Sequence, residues 1–228
     1  MPKEGNFRPL PGRGGRGRGP NTIMAASLPI NSPCGTAAPF DSLRFCAGQR
    51  VIPGIRHAVY YIDKENILSW PTLPAETTAS VTLAKLATYD GNFTLKADAK
   101  WKRIDLATNK GNVEWETQGE RPSCTFLNKL TASHPGTAAE AAGFCRLAQN
   151  SDLVFLVQQR DGRFRVLGNE MFETIVKPKG SLGEGTSTNA STDIEIEVTD
   201  IVPAPFYPGD IDTADDGKIS GETGKAAA

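Results

Sequence analysis

The chain has 228 residues, of which 39% are hydrophobic and 7% aromatic, with 23 Gly, 16 Pro and a formal net charge of −1. A mean hydropathy of −0.33 and the lack of any apolar run near ~18 residues exclude a helical membrane span, while the length allows one large domain or two small ones. The near-neutral total hides an asymmetry: Lys3, Arg8, Arg13, Arg16 and Arg18 against Glu4 put four net positive charges before Met24, which leaves five net negative on the remainder.

Residues 1–27 read as a disordered basic arm of Gly, Pro and Arg with almost nothing to bury. Within it, Gly12-Arg-Gly-Gly-Arg-Gly-Arg-Gly19 resembles the RGG segments of RNA-binding proteins, so Arg13, Arg16 and Arg18 are candidate nucleic-acid contacts. A flexible arm without function fits the same composition. Met24 offers an alternative start. The N-terminus carries no apolar stretch of signal-peptide type, so export by that route is not expected. The four cysteines, Cys34, Cys46, Cys124 and Cys145, have no C-x-x-C spacing and read as reduced thiols of a cytosolic product.

Residues 28–50 hold turn residues and prolines and predict an extended arm. Residues 51–208 then form the predicted body. Ile55 to Ile62 is its first strand, with His57 near the start as a packing or surface residue rather than a catalyst. Ile67 to Pro74 is broken by two prolines into a loop that tucks Trp70 against the body. Phe93 to Trp101 alternates, with Phe93, Leu95, Ala97, Ala99 and Trp101 inward, and a turn at Thr108–Asn112 returns it through Val113–Thr117 with Val113 and Trp115 on one face. This predicts a long hairpin with a core Trp115 and cross-strand Lys–Glu pairs. Such exposed pairs are worth at most ~1 kcal/mol and set register more than stability.

Thr137-Ala-Ala-Glu140 has the capping-box pattern and predicts one helix from Ala138 to about Gln149, its Gly143 and alanines approaching a sheet closely. Two apolar runs, Leu153–Val157 and Arg163–Leu167, flank Asp161-Gly162 and predict a tight hairpin, because Gly accepts the positive φ of such turns. A Gly/Ser/Thr loop from Gly180 to Thr192 precedes Asp193–Asp200, where Ile194, Ile196 and Val198 face one way and Glu195, Glu197 and Thr199 the other. That pattern predicts a half-buried strand with an acidic outer face. Pro203, Pro205 and Pro208 stop it. Residues 209–228 read as an acidic flexible tail. The order of elements predicts a mainly β chain: an antiparallel β-sandwich or small barrel with one flanking helix, a long N-terminal arm and a C-terminal tail.

Recognisable catalytic patterns are lacking. The sequence holds no G-x-x-x-x-G-K-[ST], H-E-x-x-H or G-x-S-x-G, and His57 and His134 are the only histidines. Asp212 to Thr223 imitates a calcium loop, yet Ala214 and Thr223 replace the carboxylates at positions 3 and 12. Asn92-Phe-Thr94 and Asn189-Ala-Ser191 are glycosylation sequons by pattern alone. No enzyme activity, cofactor or metal is expected.

Taken in order, Trp101–Asp105 with Glu116–Glu120, Glu140–Phe144, Asp152–Gly162, Arg165–Gly168 and the strand running into Pro203–Tyr207 resemble the major tail tube protein of long-tailed bacteriophages, especially those of Bacteroidetes hosts. The similarity covers more than half of the chain, extends weakly to Ile55–Pro74, and rests on the order and spacing of the pieces. The basic Gly-Arg arm departs from it. The resemblance implies a non-enzymatic virion protein, made in the host cytoplasm and located in the tail. It further implies hexameric rings whose inner sheets join around a lumen and stack into a tube. The implied partners are other copies of the chain, the tape measure, terminator and baseplate or tip proteins, and genomic DNA passing through without specific binding; no membrane is involved. Glu195 and Glu197 are then candidate lumen-wall residues that repel the phosphate backbone. Leu28–Gly48, Gly180–Thr192 and the segment after Pro208 would bridge rings. The alternatives are the tube of a contractile particle, or a nucleic-acid-binding module that uses the basic arm.

Overall fold

The computed structural model describes residues 40–78 and 81–227. Its most apolar strand, β7 (Leu153–Gln159), lies at the centre and is buried over its first six residues. A strand with one wet face alternates; one buried on both faces need not. β7 pairs on one side with β1 (Ile55–Asp63) and on the other with β8 (Phe164–Leu167). β4 (Lys102–Asp105) and β11 (Phe206–Tyr207) extend this inner sheet to the antiparallel order β11-β8-β7-β1-β4. A second antiparallel sheet has the order β5 (Gly111–Gln118), β6 (Thr125–Pro135), β10 (Ser191–Asp200), β9 (Thr174–Ser181).

One face of the inner sheet packs on this outer sheet. Val59, Phe155, Val157 and Leu167 meet Leu130, Ala132, Val176, Ile194, Ile196 and Val198 in a continuous core. The opposite face, through Tyr60, Ile62, Val154, Leu156, Phe164 and Val166, is covered by a third layer without a large sheet. That layer contributes Leu73, Tyr89, Phe93, Trp101, Ile211 and Ile219. Each fully buried aliphatic side chain of this kind contributes about 1.5–3 kcal/mol. The fold is the expected mainly β sandwich with a flanking helix, α2 (Ala139–Ala148), besides the single helical turn α1 (Leu83–Leu86). No helix among the described residues is long and apolar enough to cross a membrane.

Several expectations are corrected. The long hairpin does not form: β4 pairs with β1 in the inner sheet, whereas β5 pairs with β6 in the outer one. Its predicted first strand is reduced to β3 (Thr94–Leu95), which pairs with β2 (Ile67–Ser69), because Asp98 at φ 67 turns the chain before Trp101. Trp101 is buried as expected, but Ala97 is exposed and Trp115 is 45% exposed rather than core. The helix begins at Ala138 as N-cap with no side-chain hydrogen bond, so Thr137 and Glu140 form no capping box. Nothing lies close to Gly143, and the helix packs instead through Phe144 and the buried Ala148. The glycine-rich loop spans residues 182–190, shorter than expected, since β9 and β10 extend into it.

The supposed flexible tail is a packed hairpin, β12 (Asp210–Asp212) and β13 (Lys218–Ser220), and the body therefore extends past residue 208. Two well-spaced apolar residues secure it, since Ile211 and Ile219 enter the third layer. Its turn is tied down as well. The Tyr60 hydroxyl donates to Asp216 at 2.8 Å, and the Arg103 guanidinium donates to both Asp216 oxygens. Burial alone would raise the Asp216 carboxyl, but the Tyr60 and Arg103 hydrogen bonds outweigh it and hold the group below its ordinary value.

The β7–β8 turn forms as expected around Gly162, at φ 106. A Cβ on Gly162 would also sit 2.5 Å from the Thr223 carbonyl oxygen of the folded-back C-terminal segment. Gly162→Ala therefore meets both backbone strain and a backbone clash, and should lower stability by more than about 1 kcal/mol in chemical unfolding. A neutral substitution would show that the C-terminal segment does not pack on this turn.

Candidate functional site

The surface with the most organised chemistry is the outward face of the β5-β6-β10-β9 sheet. Alternation brings every second residue of each strand to it. β5 supplies Glu114 and Glu116, and β6 supplies Lys129. β10 supplies Asp193, Glu195 and Glu197, and β9 supplies Lys177 and Lys179. The register puts Lys129 beside Glu114 on one side and Glu197 on the other, and sets Glu195 opposite Lys177. The side chains then pair diagonally: Lys129 Nζ reaches Glu116 at 2.7 Å and Lys177 Nζ reaches Glu197 at 2.6 Å. The hydrogen bond to Glu116 raises the Lys129 ammonium above its ordinary value.

Read across the sheet, the strands are therefore acidic, basic, acidic, basic. Among the described residues both edges lack a strand partner, and they carry opposite charges: Glu114 and Glu116 on β5, Lys177 and Lys179 on β9. β9 tolerates Pro178 because it is an edge strand. The sequence-predicted wall residues Glu195 and Glu197 both point outward, Glu195 exposed and Glu197 half-covered by Lys177. The ion pair of Glu197 with Lys177, and the placement of Lys177 opposite Glu195, are not legible in the sequence. The only sequence signal was the alternation in Lys177-Pro-Lys179.

Behind the β5 edge lies an aromatic–guanidinium stack. Arg165 Cζ sits 4.9 Å from the Trp115 ring and 4.0 Å from the Phe206 ring, while Arg163 covers Phe206 at 4.6 Å. The Arg165 Nη1 donates to the Ala204 carbonyl at 2.7 Å, and burial lowers the guanidinium below its ordinary value. Trp115 thus stands at the edge of the sheet on a charged support, half in solvent.

Between the two sheets runs a seam of buried polar side chains at the point where the chain crosses from β10 to β11. Asn128 Nδ2 donates to the Val202 carbonyl at 3.1 Å, and its Oδ1 accepts from Ala204 N at 3.0 Å. Asn169 donates to the Thr199 carbonyl and accepts from Met171 and Phe172 N–H groups. Asp200 Oδ1 accepts from Ile201 N at 2.7 Å, while its buried Oδ2 has no hydrogen-bond partner. Burial pushes the Asp200 carboxyl up to about 6, against the opposing effect of the Ile201, Val202 and Asn169 donors. Each of the three side chains serves backbone groups that leave the sheet ladder, which is the usual duty of a buried polar residue.

His57 is exposed on β1, and the His134 ring meets the Asp105 carbonyl at 2.8 Å. The two are not brought together with a nucleophile. Among the described residues no group of three or more His, Cys, Asp or Glu is placed to hold a metal ion. The calcium-like stretch folds as the β12–β13 hairpin, with Thr213 Oγ1 donating to the Gly217 carbonyl at 2.6 Å. Arg13, Arg16 and Arg18 lie outside the described residues. No family model, no curated protein and no solved structure matches this chain.

Proposed function

We propose that this chain is a virion structural protein whose copies close into hexameric rings and stack into the tail tube of a long-tailed phage, with genomic DNA passing through the lumen. The supporting observation is the charge order of the outer sheet together with its two complementary edges. An unpaired edge strand is a template for another strand. Counting strand directions across β5-β6-β10-β9, β9 runs antiparallel to β5. A second copy can thus place its β9 beside β5 as the next antiparallel strand, and its lysines continue the acid–base alternation. The contact is heterologous, so repeated rotation closes a ring and removes both edges.

In such a ring the outward face becomes the wall. Its five carboxylates, Glu114, Glu116, Asp193, Glu195 and Glu197, exceed its three lysines by two. The wall is then weakly acidic, which discourages a phosphate backbone from adhering. Tape measure, terminator and baseplate or tip proteins would meet the ends of the stack. The same architecture would serve a contractile particle.

The test is electron microscopy of the purified protein and two charge variants, with circular dichroism as a check on folding. Wild type should form rings or tubes. Glu114→Lys/Glu116→Lys and Lys177→Glu/Lys179→Glu should each remain monomeric alone, and an equimolar mixture should recover rings, since each interface then pairs opposite charges. Wild-type monomers at high concentration, or rings from either variant alone, would refute this edge pairing.

A further inference from the structure

Residues 40–54 leave the body as an extended segment in which every position is exposed. Phe40, Leu43, Phe45, Val51 and Ile52 are 55–101% exposed, an apolar content that solvent does not favour. Among the described residues the segment's hydrogen bonds within itself are local, such as Gln49 N to the Cys46 carbonyl, and its tie to the body is Arg160 N donating to the Gly54 carbonyl. Among the described residues, the body of the same chain leaves every position of it exposed.

A matching unfilled surface surrounds α2. On one side of Phe144 a cleft of about 430 Å³ is lined by Tyr61, Ala97, Ala99 and Leu147, and Leu147 is 71% exposed. On the other side a second cleft of about 220 Å³ is lined by Tyr61, Ile104 and Ala141. Phe144 and Tyr61 meet edge-on at 5.2 Å and form the ridge between the two. The rims carry Asp98 and Glu140, which have no ion-pair partner among the described residues, beside Lys102 and a Lys100 that pairs with Asp212. The arm brings Arg44 and Arg50 against Asp41.

We infer that residues 40–52 of one copy dock along α2 of a second copy, with Phe45 and its apolar neighbours in the clefts flanking Phe144 and the arm arginines toward Asp98 and Glu140. A second copy is the occupant because the arm departs at Ile55, whereas the larger cleft opens at the other end of β1, near Tyr61–Asp63. About 27 Å of strand separates the two. Reaching its own α2 would require the arm to reverse at Gly54 and run back over the body. The inference rests on the assembly reading only in that it needs a second copy.

The chain's own cysteines provide the test, because Cys46 follows Phe45 on the arm and Cys145 follows Phe144 on α2. Two full-length proteins are prepared in a Cys34→Ser/Cys124→Ser background, one keeping only Cys46 and the other only Cys145. A short bis-maleimide, to which each thiol adds across a double bond, is applied to each alone and to the mixture. The expected result is a heterodimer in the mixture, at least fivefold more abundant than either homodimer and lost with Leu147→Lys, an exposed change that leaves the fold intact. Equal yields from all three samples, or no loss with Leu147→Lys, would overturn the docking. So would a protein with both thiols that cross-links only within itself. Rings seen by microscopy without the heterodimer would overturn the arm site alone and leave the edge pairing standing.

Discussion

Trp101→Ala should destabilise the isolated chain by roughly 3–5 kcal/mol, whereas Trp115→Ala should cost less than about 1 kcal/mol, both read from chemical unfolding of the monomer. Trp101 is 1% exposed and sits edge-on to Phe93 at 5.4 Å, and Phe93 in turn contacts Trp70, Tyr89 and Tyr207. Truncating Trp101 opens a cavity in the third layer, at the place where its backbone also holds the C-terminal hairpin through Trp101 N to the Asp212 carbonyl. The neighbouring aromatics belong to different segments and cannot collapse together to fill it. Trp115 is 45% exposed and stacks on Arg165, which keeps its bond to the Ala204 carbonyl when the ring is gone. Its loss should show in assembly instead, as a weaker ring, because a strand added at β5 would cover a half-exposed aromatic. The reverse order of monomer effects would contradict the placement of both residues.

The alternation that made the two tryptophans look equivalent was real, but it carried no information about partners. Phe93 and Trp101 are both buried, yet the stretch between them turns at Asp98, and the strands that follow go to different sheets. Local pairing was legible where a turn residue enforces it, as at Asp161-Gly162, and where one face is uniformly apolar, as at Ile194, Ile196 and Val198. β6 was illegible because Asn128 occupies an inward position, where a polar residue breaks the pattern, and its reason lies far away at Val202 and Ala204. β9 hid for a similar cause: Ile175 points outward and Pro178 sits mid-strand. The C-terminal hairpin depends on two isoleucines in an acidic stretch, too few to register as a pattern. Of the candidate wall, the outward direction of Glu195 and Glu197 could be read from one strand. That Lys177 stands opposite Glu195 and pairs with Glu197 needed the register of β9 against β10.

The buried seam makes a second large effect measurable. Asp200 is fully buried, and its carboxyl is pushed from an ordinary 3.8 to about 6, chiefly by burial. A carboxyl raised on folding holds its proton longer in the folded chain than in the unfolded one. Its contribution to stability is therefore fully present below about pH 4 and is lost as pH rises through about 6. The full loss is about 3 kcal/mol, from 1.36 kcal/mol for each pH unit between the two values. Asn at this position can keep accepting from Ile201 N through its oxygen, and it carries no charge at any pH. Asp200→Asn should accordingly match wild type near pH 4 and exceed it by roughly 2–3 kcal/mol at pH 7.5. Urea unfolding of both proteins across that range gives the difference, in which the opposite titration of Asp216 cancels because both chains share it. Parallel stability curves would mean that Asp200 is charged in the folded chain at every pH tested. An Asn variant weaker throughout would mean instead that the carboxylate is needed to hold the Ile201–Ala204 crossover. The predicted convergence at low pH follows because the protonated acid and the amide present the same uncharged acceptor to a crossover that Asn128 already binds, just after the Thr199 carbonyl held by Asn169.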